Sequence, residues 1–200
     1  MTSAPSRLAA FVRDVSQLLD AAPAEPDLLR GGRRLVGALV AEDDWLPAAY
    51  AEPDPDRYRQ YLLYSDPRAR FSLVSFVWGP GQSTPIHDHT VWGLIGVLRG
   101  AELSQRFAVS GSGPPRPLGV SERLAQGAVD AVSPDVGDVH SVANAHDDRA
   151  SVSIHLYGAD IGAVRRWTYP KEGGRKPFVS GYSNTPATPP FDLDAESRAA

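Results

Sequence analysis

The feature of this sequence that most limits its fold is a run of short, β-rich segments between Tyr58 and Tyr169. The segments are dense in aromatic and β-branched residues, and turn-forming residues separate them. In chain order they are YRQYLLYS, RFSLVSFVWG, IHDHTVWGLIGVLRG, AELSQRFAV, RLAQGAVDAV, DVHSVANA, ASVSIHLYG and VRRWTYP. Short strands at such regular spacing pack as a β-sandwich or close into a barrel. The sequence therefore predicts a mainly β fold.

Two amphipathic helices are predicted before the strands. Apolar residues recur at helical spacing from about Ala4 to Ala22 and again from about Pro26 to Leu39. Prolines and acids then interrupt the pattern, which indicates a connector with one short helix. We expect one structural domain with three parts: a helical flank over residues 1–57, a barrel that carries a metal site over residues 58–170, and a Pro/Gly-rich tail over residues 171–200 that wraps the surface or frays.

Charge and cysteine content exclude several classes of site. The 200-residue chain has a net charge of −4, and its densest basic run, RGGRR, is typical of a solvated helix face, so a nucleic-acid partner is not expected. The chain has no cysteine, which excludes disulfides, thiolate metal sites and cysteine nucleophiles. No apolar run is long enough to cross a bilayer, and the first residues lack the apolar core of a signal peptide. We therefore expect a cytoplasmic protein without a membrane partner; no sequence feature specifies an oligomeric state.

Three histidines are the candidate metal ligands. His87 and His89 are separated by one residue, and in a strand such residues point to the same face. His140, from a distant strand, completes the convergence that a site of three imidazoles requires. The His-x-His pair alone is also compatible with a solvent-facing strand, and three histidines with an open position would suit zinc as well as iron. We expect His146, in a polar loop, to be solvated.

Two glycine-framed motifs around these histidines resemble the two motifs of the cupins. The residues that match the first motif are Gly81, His87, His89, Gly93 and Gly100. Those that match the second are Pro134, Gly137, His140 and Asn144. The usual first motif has Glu where Gly93 stands, and the Pro-to-Gly spacing of the second is one residue longer than usual. The resemblance implies a cupin double-stranded β-helix barrel that holds a metal inside.

Within the cupins, the missing acidic ligand and the segment SVSIHLYG resemble the thiol dioxygenases of the cysteine dioxygenase family, and more closely their bacterial 3-mercaptopropionate dioxygenase branch. The likeness spans about Tyr58 to Tyr169. It implies an Fe(II) enzyme that adds both atoms of O2 to a small thiol to give the sulfinate. Three neutral imidazoles leave Fe(II) its full double charge, which favours an anionic thiolate as a further ligand.

The segment SVSIHLYG also carries a pattern of its own. Ser153, His155 and Tyr157 fall on one face of a strand, and the apolar residues between them fall on the other. A barrel strand of this kind turns its apolar residues to the core and its polar residues to a wet cavity. The polar row can form a hydrogen-bonded relay that positions the Tyr157 hydroxyl beside a bound substrate, which is the role that the resemblance implies.

The substrate carboxylate needs a partner, and Arg166 is the expected one. An arginine can donate two parallel hydrogen bonds to a carboxylate. Arg165 competes for the role, because adjacent residues of a strand face opposite ways. The resemblance places Gln60 where the cysteine-specific branch has Arg, which favours 3-mercaptopropionate over cysteine. It also places Gly93 where the animal enzymes have the cysteine of a Cys-Tyr crosslink, so we expect an unmodified Tyr157.

Three alternatives to 3-mercaptopropionate dioxygenation stay open from the sequence. The same chemistry on cysteine or cysteamine is one, and cysteamine lacks the carboxylate that Arg166 is expected to bind. A binding-only cupin that senses a metal or thiol is another. A zinc enzyme is the third, although no carboxylate is visibly placed as a general base and the Ser153, His155 and Tyr157 row would then have no role.

Overall fold

A computed structural model describes residues 6–184 of the chain. Its first two elements are the α-helices α1, Arg7–Asp20, and α2, Glu25–Val40. The Ser6 side chain accepts a hydrogen bond from the backbone N–H of Ala9 and so caps α1. Each helix buries the apolar stripe that its sequence predicts, while the predicted helical residues before Ser6 lie outside the described part of the chain. Neither helix has the length and apolar content needed to span a bilayer.

The connector contains one short 3₁₀ helix, Ala48–Tyr50, as predicted, and ten strands follow among the described residues. Their bounds are β1 Arg59–Ser65, β2 Ser72–Trp78, β3 Gly93–Arg99, β4 Ala101–Ala108, β5 Arg116–Ala125, β6 Val129–Val132, β7 His140–Asn144, β8 Ser151–Tyr157, β9 Arg166–Thr168 and β10 Lys176–Phe178. This mostly β architecture with two helices at the start confirms the predicted fold class.

Two antiparallel sheets form the body of the barrel. The larger has the order β1-β2-β8-β3-β6, and the smaller has the order β5-β4-β7. A further pair, β9 and β10, adds a short hairpin beside them. The central strand β8 pairs with β2 on one side and β3 on the other, so it is flanked by strands along its whole length.

The larger sheet has two buried faces with different neighbours. The helix side carries Val152, Ile154 and Leu156 of β8, which join the apolar core that includes both helices. The pocket side carries the alternate residues of the same strand and faces the smaller sheet. Because β8 is buried on both faces, all seven of its residues are buried.

Two glycines let α2 approach the helix side of the sheet closely. A Cβ on Gly32 would lie 2.5 Å from Leu94 Cδ1, and one on Gly96 would lie 2.6 Å from Val36 Cγ1. Such distances are shorter than a carbon contact allows, so each position accommodates only glycine without a shift of its neighbour. The helical flank is therefore packed directly on the barrel core.

Two expectations from the sequence need correction. The His-x-His pair does not lie in a strand, because β3 begins only at Gly93 and the stretch before it is irregular. The Gly/Pro loop is shorter than predicted, since β5 begins at Arg116 within it. In the tail, β10 pairs with β9, and residues 185–200 lie outside the described part of the chain.

Candidate metal centre

Three histidine side chains converge at the bottom of a pocket between the two sheets. The ring centroids of His87, His89 and His140 are 4.8 to 5.0 Å apart, which makes the triangle nearly equilateral. One potential ligand atom from each residue lies within 4.8 Å of the other two. His87, the most accessible of the three, exposes only 8% of its surface. The site brings together all three residues that the sequence proposes as ligands.

Backbone pairing, rather than a common strand, holds the His-x-His segment in place. The N–H of His87 donates to the carbonyl of His140 at 2.9 Å, and the N–H of His140 donates to the carbonyl of His87 at 3.0 Å. On its other side His87 bridges to Thr168. The irregular segment is thus fixed between β7 and β9, which aims both of its histidines at His140.

The Nδ1 atom of each histidine faces a protein acceptor or hydroxyl. The partners are the carbonyl of Pro85 for His87 at 3.0 Å, the carboxylate of Asp138 for His89 at 2.9 Å, and the hydroxyl of Ser104 for His140 at 3.5 Å. The carbonyl and the carboxylate select the tautomer with hydrogen on Nδ1 for His87 and His89, and the Ser104 hydroxyl accommodates the same tautomer of His140, which leaves Nε2 free to bind a metal. All three rings can therefore present Nε2 to the centre of the triangle.

Burial keeps two of these rings, those of His87 and His140, neutral. Burial, with a smaller contribution from His89, lowers the pKa of His87 to about 3. Burial and the neighbouring histidines hold the pKa of His140 well below its usual value. Because a neutral imidazole is the form that binds metal, both side chains are ready to bind at neutral pH.

Beside the triangle, the pocket side of β8 carries the predicted hydrogen-bonded row. The Ser153 hydroxyl and His155 Nε2 are 2.8 Å apart, and His155 Nδ1 and the Tyr157 hydroxyl are also 2.8 Å apart. The Tyr157 ring stacks on the His89 ring with centroids 5.4 Å apart. Burial is the main cause that keeps the pKa of His155 well below, and that of Tyr157 well above, their usual values. The row therefore consists of neutral groups that end next to a histidine of the triangle.

The pocket above the triangle has a volume of about 170 Å³. Its walls are largely aromatic: Tyr58, Phe76 and Trp78 form a stacked group, and the Phe76 ring also packs on His155 with centroids 4.1 Å apart. A cavity of this size, with one polar end and apolar walls, fits a ligand of only a few heavy atoms.

Arg166, and not Arg165, lines this pocket. Arg166 exposes 4% of its surface, whereas Arg165 is exposed and lies over the Trp167 ring. Within the described residues Arg166 has no carboxylate partner: one Nη donates to the Ser180 hydroxyl at 2.6 Å, and Nε has no hydrogen bond. Burial lowers its pKa, but an arginine keeps its charge in a protein. A buried, unpaired cation is thus aimed at the pocket.

Gln60 also lines the pocket, from β1. Its side-chain amide lies 3.5 Å from the carbonyl of Ser180, a long contact that leaves the amide group free to meet a ligand. Among the described residues that line the pocket, Arg166 is the only arginine or lysine, and no acidic side chain is present.

Gly93 lies directly against Tyr157. The two residues pair across β3 and β8, and a Cβ on Gly93 would lie 2.7 Å from Tyr157 Cδ1 and 2.9 Å from Cε1. A side chain at this position would therefore meet the tyrosine ring, and glycine leaves the ring without a bonding partner there.

Several residues of the site were not singled out by the sequence. Asp138 accepts hydrogen bonds from the backbone N–H groups of His89 and Thr90 as well as facing His89 Nδ1. Asp88 accepts from the Tyr169 hydroxyl at 2.7 Å and from the N–H of Trp167, and so ties the histidine segment to β9. The sequence signal that could have identified both aspartates is their position, since each lies within two residues of a candidate ligand.

The tail supplies two pocket residues that the sequence also did not indicate. Phe178 packs under the Arg166 guanidinium at 4.6 Å, and Ser180 accepts its hydrogen bond. Both residues line the pocket. The sequence around Phe178 and Ser180 is rich in Pro and Gly and has no periodicity. No sequence pattern therefore indicated that they contact Arg166.

A comparison with known proteins finds a matching family model and similar curated proteins. A family model described as cysteine dioxygenase type I matches residues 2–169. Cysteine dioxygenase type 1 of Bos taurus is 31% identical over 111 residues, which make up 55% of this chain and 55% of that protein. The Homo sapiens protein of the same description gives the same identity and coverage. The chain spans about half the length of the curated relatives it matches.

Solved structures with detectable similarity include a protein with a double-stranded β-helix domain and a cupin superfamily protein. A protein with a double-stranded β-helix domain from Klebsiella pneumoniae is 16% identical, with a TM-score of 0.44, over 68% of this chain and 97% of that one. A cupin superfamily protein from Desulfitobacterium hafniense is 16% identical, with a TM-score of 0.43, over 60% of this chain and 94% of that one.

Proposed function

Because the chain belongs to the cysteine dioxygenase type I family, we propose that it is an iron-dependent thiol dioxygenase and that its favoured substrate is 3-mercaptopropionate. The product is the corresponding sulfinate, in which both oxygen atoms come from O2. The expected location is the cytoplasm.

The donor set fits the metal that this proposal requires. Three buried imidazoles converge, and three imidazoles are a recognised ligand set for divalent iron, copper, nickel or zinc. We propose that His87, His89 and His140 hold Fe(II). When bound there, Fe(II) supplies a site for the thiolate and the redox chemistry with O2.

The observation that carries the proposal is Arg166. Desolvating a cation without a partner is costly, so proteins keep buried charges paired or use them to bind a ligand. A guanidinium that shares a small pocket with a three-histidine triangle fits a ligand with a carboxylate at one end and a metal-binding atom at the other. A short thiol carboxylate has this shape.

The electrostatics of the pocket favours 3-mercaptopropionate over cysteine. Cysteine adds an ammonium group, and no acidic side chain among the described lining residues could pair with it. Gln60 adds an uncharged amide to the wall, so Arg166 is left as the single charged binding group for the carboxylate. Cysteine dioxygenation is the second candidate, because the relatives that the chain matches bear that description.

In the proposed reaction each residue has a defined task. Arg166 binds and orients the carboxylate, with Ser180 and Phe178 holding its guanidinium in place. The aromatic walls exclude water. The Ser153, His155 and Tyr157 row presents a hydroxyl beside the triangle, where it can donate to or accept from the bound substrate.

The decisive test is O2 uptake by anaerobically purified, Fe(II)-loaded protein given 3-mercaptopropionate, cysteine and cysteamine in parallel, with the product mass measured. We expect a product heavier by two oxygen atoms and the highest kcat/KM for 3-mercaptopropionate. Faster turnover of cysteine would transfer the assignment to cysteine dioxygenation. Bound iron without uptake on any thiol would contradict the catalytic proposal and leave a binding-only cupin.

A further inference from the structure

Glu102 is a carboxylic acid buried in the barrel. It lies on β4 with 0% of its surface exposed, and neither carboxyl oxygen has a hydrogen bond of ordinary geometry among the described residues. Burying an ionised carboxyl without a hydrogen-bond partner costs free energy, so a buried acid without a structural partner needs an explanation. The proposed chemistry of the metal centre does not use it directly.

The polar groups nearest to this carboxyl belong to the row on β8. The Ser153 hydroxyl and the Trp78 indole N–H lie near the Glu102 carboxyl, and the indole N–H donates to the Ser153 oxygen at 3.3 Å. These two groups favour the ionised form of Glu102 and so lower its pKa, but burial outweighs them and raises that pKa to about 7. The acid is thus balanced between its charged and neutral forms near neutral pH.

Other charged groups on the strands around Glu102 are directed elsewhere. On β5 the neighbours Glu122 and Arg123 are exposed, and Arg106 of β4 itself pairs with Asp130. The residue opposite on β7 is Asn144, whose amide donates to backbone carbonyls. The titratable groups of β8 are His155 and Tyr157, and His140 lies at the start of β7.

Serine, histidine and tyrosine form a chain whose hydrogen bonds can run in two directions. In one, His155 carries hydrogen on Nε2 and donates to Ser153, and Tyr157 donates to His155 Nδ1. The Ser153 hydroxyl can then donate only to a further acceptor. In the other, Ser153 donates to His155 Nε2 and His155 Nδ1 donates to Tyr157, so the tyrosine hydroxyl hydrogen points into the pocket.

We propose that Glu102 is the inner end of this chain and takes up the proton that the thiol substrate loses when it binds. Glu102 is then a remote proton acceptor that acts through Ser153, His155 and Tyr157. The assignment of a thiol as the proton source rests on the proposed function. The chain itself rests on the 2.8 Å contacts that join Ser153, His155 and Tyr157, and on the burial of an unpartnered Glu102 carboxyl near Ser153.

The protons balance in this step. The thiol proton passes to the Tyr157 oxygen, the former Tyr157 proton passes to His155 Nδ1, the Nε2 proton passes to the Ser153 oxygen, and the former Ser153 proton passes to Glu102. The S–H bond breaks and an O–H bond forms on the carboxyl, while the three intermediate groups stay neutral. No electron is transferred in this step. When the product leaves as the sulfinate anion, the proton passes back along the same path to water that enters the pocket.

The test follows the proton directly by infrared spectroscopy and does not require turnover. The full chain is loaded with diamagnetic Zn²⁺, and 3-mercaptopropionate is added without O2 at pH 8, where Glu102 is mostly ionised. We expect the carbonyl band of a buried protonated carboxyl to appear on binding. In the same sample, the ¹⁵N signals of His155 should change from the Nε2–H to the Nδ1–H tautomer.

Two variants and one matched control give the test its specificity. Glu102→Gln, nearly the same in shape, should lose the band, and Ser153→Ala should lose it because the chain is cut while Glu102 remains. Glu122→Gln makes the same chemical change at an exposed position of the adjacent strand and should keep the band. In the iron-loaded protein, Glu102→Gln should lower kcat/KM at pH 8 by about 100-fold. It should also remove an ionisation near 7 from the pH profile, an effect that a merely structural role would not produce.

The outcomes separate this inference from the proposed function. Thiol binding with no carboxyl band in the wild-type protein, or a band that persists in Glu102→Gln, would overturn the role of Glu102 even if O2 uptake is normal. A band that depends on Glu102 and Ser153 supports it even if the Fe(II)-loaded protein consumes no O2, in which case the dioxygenase proposal alone fails. Glu102→Asp, which keeps an acid on a shorter arm, should restore part of the band.

Discussion

Strand β8 has two faces that are buried to the same degree and carry opposite chemistry. On the helix side, Ile154 and its neighbours exclude water and need only to fill space. On the pocket side, Ser153, His155 and Tyr157 are equally buried, yet each has a polar partner at a fixed distance. Burial alone does not separate the two faces. What distinguishes them is that the polar face must satisfy its hydrogen bonds, so its residues tolerate fewer replacements.

The largest loss of function on the pocket side is expected from replacing a metal ligand. We expect His140→Ala to reduce bound iron to background and O2 uptake by more than about 100-fold, beyond the range of residues that only orient a ligand. Iron per chain, measured by elemental analysis, checks this. His146→Ala, in a half-buried loop position, is the matched control and should retain iron; full activity of His140→Ala would refute the ligand assignment.

Arg166 tests whether the pocket side recognises a carboxylate. Arg166→Gln should raise the KM for 3-mercaptopropionate by about 100-fold, because a charge-assisted pair worth about 3 kcal/mol is lost. The exposed Arg165→Gln should change KM little. Steady-state kinetics on both variants makes the measurement, and equal effects of the two changes would remove Arg166 from the binding site.

Acid should destabilise the pocket side selectively. Burial holds the pKa of His155 well below its usual value, so between that pKa and about 6.5 the unfolded chain binds the extra proton and stability falls as the pH is lowered. From pH 7.5 to pH 5 this amounts to about 2 kcal/mol for one histidine. Urea unfolding of metal-free protein should show a loss that is smaller by about this amount in His155→Gln; equal losses would mean that His155 is charged in the folded state.

The smallest effect is expected on the helix side. Ile154→Val removes one methylene from a fully buried side chain and should lower the free energy of unfolding by about 1 kcal/mol with kcat/KM unchanged. Ser153→Ala, its neighbour on the same strand, should show the reverse pattern, with a larger change in kcat/KM than in stability. Thermal unfolding and steady-state kinetics on both variants make the comparison, and a matching loss of activity in Ile154→Val would show that the two faces are coupled.

The sequence predicts β8 well because alternation in a strand is a local property. The period of two assigns each residue of SVSIHLY to a face without reference to the rest of the chain. The same reasoning does not decide between Arg165 and Arg166, since β9 is only three residues long and has no apolar pattern to fix its phase. The pairing of β9 with β10 and with the histidine segment decides it, and those contacts are distant in sequence.

Two other features depend on tertiary structure in ways that a pattern does not reveal. His87 and His89 converge as predicted, but through backbone bonds to His140 and not through a shared strand. In β4 the alternation runs against hydropathy, because Glu102 is fully buried while Leu103 is 37% exposed. A buried acid beside an exposed leucine is a local conflict, and such conflicts concentrate at functional sites.

The double backbone attachment of the histidine segment has a consequence for metal selection. Since the segment is bonded to β7 on one side and to β9 on the other, the spacing of the imidazoles is set by the sheet before any ion arrives. A site whose ligands are already in place gains no selectivity among metal ions from folding around one of them. The choice among divalent ions of similar size then falls to intrinsic coordination preference and to supply, so the iron content of the isolated protein should follow the metal composition of the medium in which it is produced.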